Sequence, residues 1–316
     1  MSVGTGHVII DGAEIDAAKA VPVRHPWRWI ATAVIVVLAA MFAHMVFTNR
    51  AFQWGFMARN VVAGPVLEGA RTTVLLTIVA MAIGIALGLV LALMRLSTNP
   101  ILTSVAWVYI WFFRAVPRVV LLVLFGNLGI LYSRFDIGVP FDWWFADLFG
   151  IDLSARFFGF DARTVVTGFV AATLGLALSE AAYMGEIVRA GIQSVPQGQI
   201  DAADSLGMQR SVTLRRIVLP QAMRVIVPPT GNETIAMLKD TALVAYVPAY
   251  ELWFRLQAVG TRTFQVFPML IGACLWYLAL TSILMVVQYF IERHFTRGSR
   301  TDSARMRLAR GGAGGA

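Results

Sequence analysis

The sequence predicts an all-α polytopic membrane protein with six transmembrane helices and both termini in the cytoplasm. Three observations predict it. Hydrophobic residues make up 58% of the 316 residues and charged residues 14%, against about 45–50% and about 25% in a soluble domain. Six apolar runs follow one another, and a helix needs about 20 apolar residues to cross a bilayer. The net charge of +8 is carried almost wholly by arginine, with Lys19 and Lys239 the two lysines, and its distribution is asymmetric.

The first element is a polar tail over residues 1–27, mixed in charge and read as cytoplasmic. No small-residue cleavage site closes the apolar run behind it, so it does not read as a signal peptide. The apolar runs occupy 29–47, 66–93, 101–132, 164–187, 217–247 and 267–291. The fifth is the most interrupted. A tail over 294–316, rich in arginine and glycine, is expected to be disordered. With six spans the termini share a side. If that side is cytoplasmic, 15 basic residues lie inside and 8 outside, with Arg114, Arg118 and Lys239 left in spans. The excess of arginine on inner loops orients the chain this way. The same asymmetry makes the basic excess a membrane anchor and excludes nucleic acid as its partner. One cysteine, Cys274, makes no intrachain bridge and excludes a disulfide scaffold.

Two loops stand out. The outer loop at 133–163 carries Asp136, Asp142, Asp147, Asp152 and Asp161. Its Trp143, Trp144 and Phe145 suit the membrane interface and predict a short helix on the outer leaflet. The inner loop at 188–220 is the more informative. Ser194-Val195-Pro196-Gln197 reads as a capping box with proline near the first turn. A short helix then runs to Leu206, with Ile200, Ala203 and Leu206 on one face, and Gly207 supplies the left-handed end. A second short helix covers 213–217, and Pro220 opens the next span. A linker does not need two helices and a glycine elbow. A rigid amphipathic helix here is either a docking surface or an interfacial helix resting on lipid.

The residues of this loop resemble a known pattern. Asp201-Ala202-Ala203, three residues, Gly207, nine residues, then Ile217-x-Leu219-Pro220 is similar to the EAA loop of ABC-importer permeases, with Asp in place of the leading Glu. Ala182-Tyr183, Glu186, Arg189, Pro196 and Gly198-Gln199 resemble the polar amino acid uptake subfamily, whose members serve histidine, glutamate, glutamine, arginine and opines. Gly69-x-x-x-Thr73, Gly88, Arg95, Phe113-Arg114-Ala115-Val116-Pro117, Asn232 and Leu238-Lys239-Asp240-Thr241-Ala242-Leu243 agree in order. The resemblance covers about 65–294. Three departures are visible: an extra helix at 28–48, a longer outer loop, and Ala115-Val116 where the family carries Gly-Thr.

The resemblance implies the five-helix core of a type I ABC importer over 65–293, with the helix at 28–48 added. It implies a multi-pass protein of the bacterial cytoplasmic (inner) membrane that takes up polar amino acids by alternating access. Its partners would be a dimer of ABC ATPase subunits, a second permease of the same or related chain, an extracytoplasmic amino-acid-binding protein and the lipid bilayer. Asp201, Ala202, Ala203, Leu206, Gly207, Ile217, Leu219 and Pro220 would couple it to the ATPase. The chain is expected to be non-catalytic and to bind no cofactor or metal. ATP would act on the partner, because a P-loop needs glycine directly before its lysine and neither lysine has one.

Charged residues within spans mark function by default. Asn232 lies about 18 Å along a helix from Pro220 at about 1.5 Å per residue, near mid-membrane. Pro228-Pro229 and Gly231 before it are expected to break or kink the helix. Asn232 and Glu233 are therefore candidates for lining the substrate path, with bonding between spans as the alternative. Lys239 and Asp240 either pair with each other or meet entering substrate. Arg114 either faces the path or caps a carboxylate such as Glu180. Glu180, Tyr183, Glu186 and Arg189 recur every three residues and form a drifting stripe. Glu186 and Arg189 are spaced to pair, either as a gate or as a structural link. The path offers donors and acceptors, so the substrate's charge stays open. The rival class is a secondary transporter or channel for small polar solutes working without an ATPase. Such proteins carry repeated halves or paired broken helices, and no such repeat is visible.

Overall fold

The computed structural model describes residues 7–10, 13–16, 26–138, 147–150, 156–161 and 165–296. The chain divides into two units, 1–52 and 53–316.

In the first unit, β1 (His7–Ile10) pairs antiparallel with β2 (Ala13–Asp16). So a hairpin lies within the stretch expected as a plain polar tail. Helix α1 (Pro26–Thr48) has no buried residue. Its 23 residues span about 35 Å at about 1.5 Å each, enough for a hydrocarbon core of about 30 Å. An apolar helix exposed all round has lipid as its natural solvent.

The second unit is built on two long helices. After α2 (Trp54–Asn60), α3 runs from Gly64 to Arg95, with Pro65 in its first turn where a missing N–H costs nothing. Helix α4 (Pro100–Ala115) starts on Asn99, whose side chain accepts from the Ile101 N–H at 2.9 Å. Helix α5 (Arg118–Gly126) follows, and α6 (Leu128–Leu131) is one turn. The third apolar run is bent. Helices α4 and α5 meet at a bend of 99°. Pro117 pushes Val116 into extended backbone (φ −86°, ψ 129°), because a residue before proline avoids the helical region.

Strands β3 (Arg134–Gly138) and β4 (Arg156–Asp161) pair antiparallel in the loop at 133–163, so the chain is predominantly rather than wholly helical. The interfacial helix expected at Trp143, Trp144 and Phe145 lies outside the described residues, as does the tail beyond 296. Helix α7 (Gly168–Gln193) is the second long helix. The inner loop holds α8 (Gln197–Ser205) and α9 (Arg210–Thr213). A π-turn at Leu214–Val218 then leads without a break into α10 (Leu219–Asp240). A 3-10 turn at Thr241–Tyr246, α11 (Leu252–Thr263) and α12 (Val266–Thr296) complete the unit.

Helix α10 runs through Pro228 and Pro229, so of the expected break or kink the break does not occur. The missing N–H groups leave the Arg224 and Val225 carbonyls without their helical donors, while Thr230 Oγ1 donates to the Ile226 carbonyl at 2.8 Å and Gln288 of α12 to the Pro228 carbonyl at 3.4 Å. Among the described residues four helices (α1, α3, α7 and α12) are long and apolar enough to cross a membrane, with the bent α4–α5 pair a fifth. Helix α10, with charges at Arg224, Glu233, Lys239 and Asp240, is not one of them.

Helices α3 and α7 form the spine. Small residues let them approach: a Cβ on Gly84 would stand 2.8 Å from Glu180 Cγ, and one on Gly88 2.5 Å from Met184 Cβ. Without a hydrophobic drive between helices in lipid, such close backbone contact is what holds them. Among the described residues, three of the four apolar clusters draw on both helices. Leu76 and Ala80 meet Leu176 and Ala177, Leu91 meets Ala181 and Ala182, and Ala92 meets Met184 and Val188. The fourth joins α2, α3, α11 and α12 through Met57, Val66, Leu256 and Met269.

Candidate functional site

The bend between α4 and α5 decides the site. It places Arg118 at the first turn of α5, facing α7 and α10. Arg118 reaches Glu180 on α7 at 3.0 Å, Glu233 on α10 at 3.8 Å, and Asp240 at the end of α10 in direct contact. The ring of Tyr183, one turn below Glu180, lies beneath two guanidinium groups: Arg118 at 4.9 Å and Arg114 at 5.3 Å. Glu180 is fully buried, and its Oε1 makes no hydrogen bond. Gly84 leaves the room that this side chain fills. One cation thus faces three carboxylates, a formal balance of −2.

A second charged group lies further along α7. Glu186 takes the Arg189 Nε at 3.0 Å, and Arg95, at the end of α3, stands 3.9 Å from it. Arg189 also donates to Gln193 at 2.7 Å. Here two cations face one carboxylate, and all three side chains are about a quarter exposed.

The expected path residues therefore separate. Glu180, Tyr183, Glu233 and Asp240 come together, and Glu186 pairs with Arg189 as the spacing implied. Arg118 is what the sequence reading missed. It caps Glu180 where Arg114 was considered, and the signal was its place directly after Pro117 in an apolar run. Asn232 points elsewhere, accepting from Gln288 at 3.0 Å. Lys239 and Asp240 do not pair: Asp240 turns to Arg118 and Lys239 is exposed.

The inner loop is locally determined. Pro196 is the N-cap of α8 with no side-chain cap, and the Ser194 hydroxyl donates back to the Gly191 carbonyl. The capping box is thus corrected: Ser194 still belongs to the end of α7. At the other end Gly207 has φ +69°. The Gly207 N–H bonds the Asp204 carbonyl at 2.9 Å and the Met208 N–H bonds the Ala203 carbonyl at 3.1 Å. This is a Schellman end, which needs a residue free to go left-handed. Ala203 is 2% exposed but Leu206 is 80% exposed, so the expected common face splits: Ala203 anchors α8 and Leu206 stands out. The helix is braced from α10, where Gln221 donates to Gln199 at 2.5 Å and to the Ile217 carbonyl at 2.9 Å. Asp201 is exposed and accepts from Gln197 at 3.0 Å. Beside them, Ala202, Ala203, Leu206, Ile217 and Gln221 border a shallow hollow of about 320 Å³. Leu219 and Pro220 start α10.

Comparison with known proteins shows the family of the chain. Residues 84–299 match the family model of the binding-protein-dependent transport system inner membrane component. An arginine transport system permease protein of Corynebacterium glutamicum is 45% identical over 301 residues, covering 94% of this chain and 90% of that one. An L-cystine transport system permease protein of Bacillus subtilis is 33% identical, covering 74% and 88%. Among solved structures, an amino acid ABC transporter crystallised with histidines superposes with TM-score 0.58 at 30% identity, over 73% of this chain and 94% of that one. The MetNI methionine ABC transporter in an inward-facing form shares the fold, with TM-score 0.55 at 18% identity over 74% and 97%. The chain belongs to the family of binding-protein-dependent transport system inner membrane components, the permease subunits of ABC importers.

Proposed function

We propose that this permease carries cationic amino acids, arginine first among them, through the bacterial inner membrane, and that the Arg118 group forms part of its substrate path. The observation that carries this is the charge balance: Glu180, Glu233 and Asp240 share one arginine, and a buried oxygen of Glu180 has no hydrogen-bond donor. A charge taken from water is tolerated where it is paired and hydrogen-bonded. A second guanidinium or ammonium group would supply both. The arginine permease of Corynebacterium glutamicum supports the same substrate. Asn232, Lys239 and Arg114 are the outlying members of the path, and Glu186 with Arg189 closes it on the inner side.

The subunit itself is non-catalytic. In the proposed assembly two permeases pair, a dimer of ATPase subunits hydrolyses ATP, and an extracytoplasmic binding protein delivers the amino acid. Helix α8 docks on the ATPase through Asp201, Ala202 and the projecting Leu206, while Gly207, Ile217, Leu219 and Pro220 fix its angle to α10. Closure of the ATPase dimer then moves α8 and the spine as rigid bodies. Six spans are counted by including α10 and the bent pair, and both termini lie in the cytoplasm.

The test is uptake by the reconstituted transporter with its ATPase and binding protein. Arginine and lysine are expected to enter with ATP, with glutamate and glutamine excluded. Glu233→Gln is expected to lower arginine uptake more than tenfold. Uptake that needs no ATPase, or a preference for glutamate, overturns the proposal.

A further inference from the structure

Beyond the Arg118 group, α3, α4 and α7 border a separate open hollow of about 470 Å³. It is bounded by Arg95, Arg114 and Glu186 and walled by Trp107 and Trp111. The two indoles are stacked, with centroids 6.2 Å apart and 5° between planes. Small-molecule sites have this make-up: flat apolar walls and a few convergent polar groups, at about 300–1,000 Å³.

Its two arginines are sparsely partnered, whereas Glu186 already accepts from Arg189 at 3.0 Å. Arg95 Nε is buried without a hydrogen bond, and its nearest carboxylate oxygen, on Glu186, is 3.9 Å away. Among the described residues Arg114 makes no ion pair and rests only on the Tyr183 ring. An arginine presents its N–H groups as a fork that fits a carboxylate. Two such forks at one hollow, with one carboxylate beside them, complement a zwitterion rather than a simple cation. Glu186 lies six residues beyond Glu180, about 9 Å along α7 at about 1.5 Å per residue, so the two positions are distinct.

We infer that this hollow is an inner amino-acid site, which holds the α-carboxylate of a free amino acid on Arg95 and Arg114 and its α-ammonium on Glu186, with the side chain against Trp107 and Trp111. The inference rests on the amino-acid importer proposed above. It divides recognition: the outer group reads the side-chain cation, and the inner group reads the α-carboxylate common to all amino acids.

The test is thiol protection in the full transporter, permease with ATPase, in lipid nanodiscs. The exposed Cys274 is replaced by serine, and Ala115, an exposed residue on the rim of the hollow, is changed to cysteine (A115C). Modification by a charged methanethiosulfonate is timed with arginine present, and again with agmatine, which keeps the guanidinium but lacks the carboxylate. Arginine is expected to slow the reaction at least threefold and agmatine not at all. Arg95→Ala is expected to abolish the protection, and Arg95→Lys, which keeps charge but loses the fork, to weaken it. Equal protection by agmatine, no protection by either, or protection surviving in both Arg95 variants overturns the inference. ATP-driven uptake by the parent transporter is measured alongside. Its loss sinks the importer proposal, whereas normal uptake without protection sinks the inner site alone.

Discussion

Two charged groups sit along α7, and they differ in both burial and sign. Around Glu180 three carboxylates share Arg118, whose side chain is 13% exposed, and Glu180 itself is buried. Around Glu186 two arginines share one carboxylate, and water reaches all three. The sequence periodicity is the same at both positions. What differs is the partner helix: the bent α4–α5 pair and α10 at the first, the C-terminal end of α3 at the second. The lesson is that a charged stripe on a spanning helix has no single role. Each turn takes its chemistry from what packs against it.

The sharpest way to break this comparison is to remove one arginine from each group. Arg118→Gln leaves three carboxylates without a cation, and breaking a buried pair costs about 3–5 kcal/mol. Arg189→Gln removes a partner in a wetted group, where pairs are worth about 0–1 kcal/mol. Thermal unfolding in nanodiscs is expected to show a large loss for the first and almost none for the second. Equal losses would erase the distinction drawn here.

A smaller effect is expected from Gly84→Ala. Its Cβ meets Glu180 at 2.8 Å, so α3 and α7 must part. Overpacking of this kind costs about 1–3 kcal/mol. Arginine uptake is expected to fall while copurification of the ATPase with the permease is unchanged. Loss of the ATPase would show that the spine, not the Arg118 group, was damaged.

Gly207→Ala adds a third region to the contrast. Nothing lies within 4 Å of the added Cβ, so the cost is the left-handed backbone, about 1–2 kcal/mol. Both charged groups stay intact, yet ATP-driven uptake is expected to drop. Full coupling in this variant would mean that α8 does not set the docking geometry.

The smallest effect concerns Glu251, ahead of α11 and outside the spans. It is fully buried and accepts from the Trp253 and Phe254 N–H groups at 2.7 Å and from the Tyr277 hydroxyl at 3.2 Å, with no cation. Burial pushes its carboxyl up to about 7. A folded value above the unfolded one means stability present at acid pH and lost as pH rises through about 7. Glu251→Gln is expected to flatten the fall in melting temperature between pH 5 and pH 8. An unchanged slope would place the titration elsewhere.

Much of the molecule was legible in the chain. The apolar runs place α1, α3, α7 and α12, because twenty apolar residues have few alternatives to a membrane. The end of α8 at Gly207 and the Glu186–Arg189 pair were legible too, since a glycine end and a three-residue spacing are local. The bend at Pro117 was less so. Proline marked a disturbance, but its 99° angle depends on what the two halves pack against. Pro228 and Pro229 misled in the other direction: they marked a disturbance, yet α10 continues through both.

The sequence by itself determined a polytopic membrane protein, because composition and apolar runs are properties of neighbouring residues, and the resemblance of its 201–220 stretch to the EAA loop pointed to the permease family. Only the tertiary structure decided that Arg118 gathers Glu180, Glu233 and Asp240, residues 62 to 122 positions away. A buried charge finds its partner through space, and no spacing along the chain encodes which helix will stand opposite.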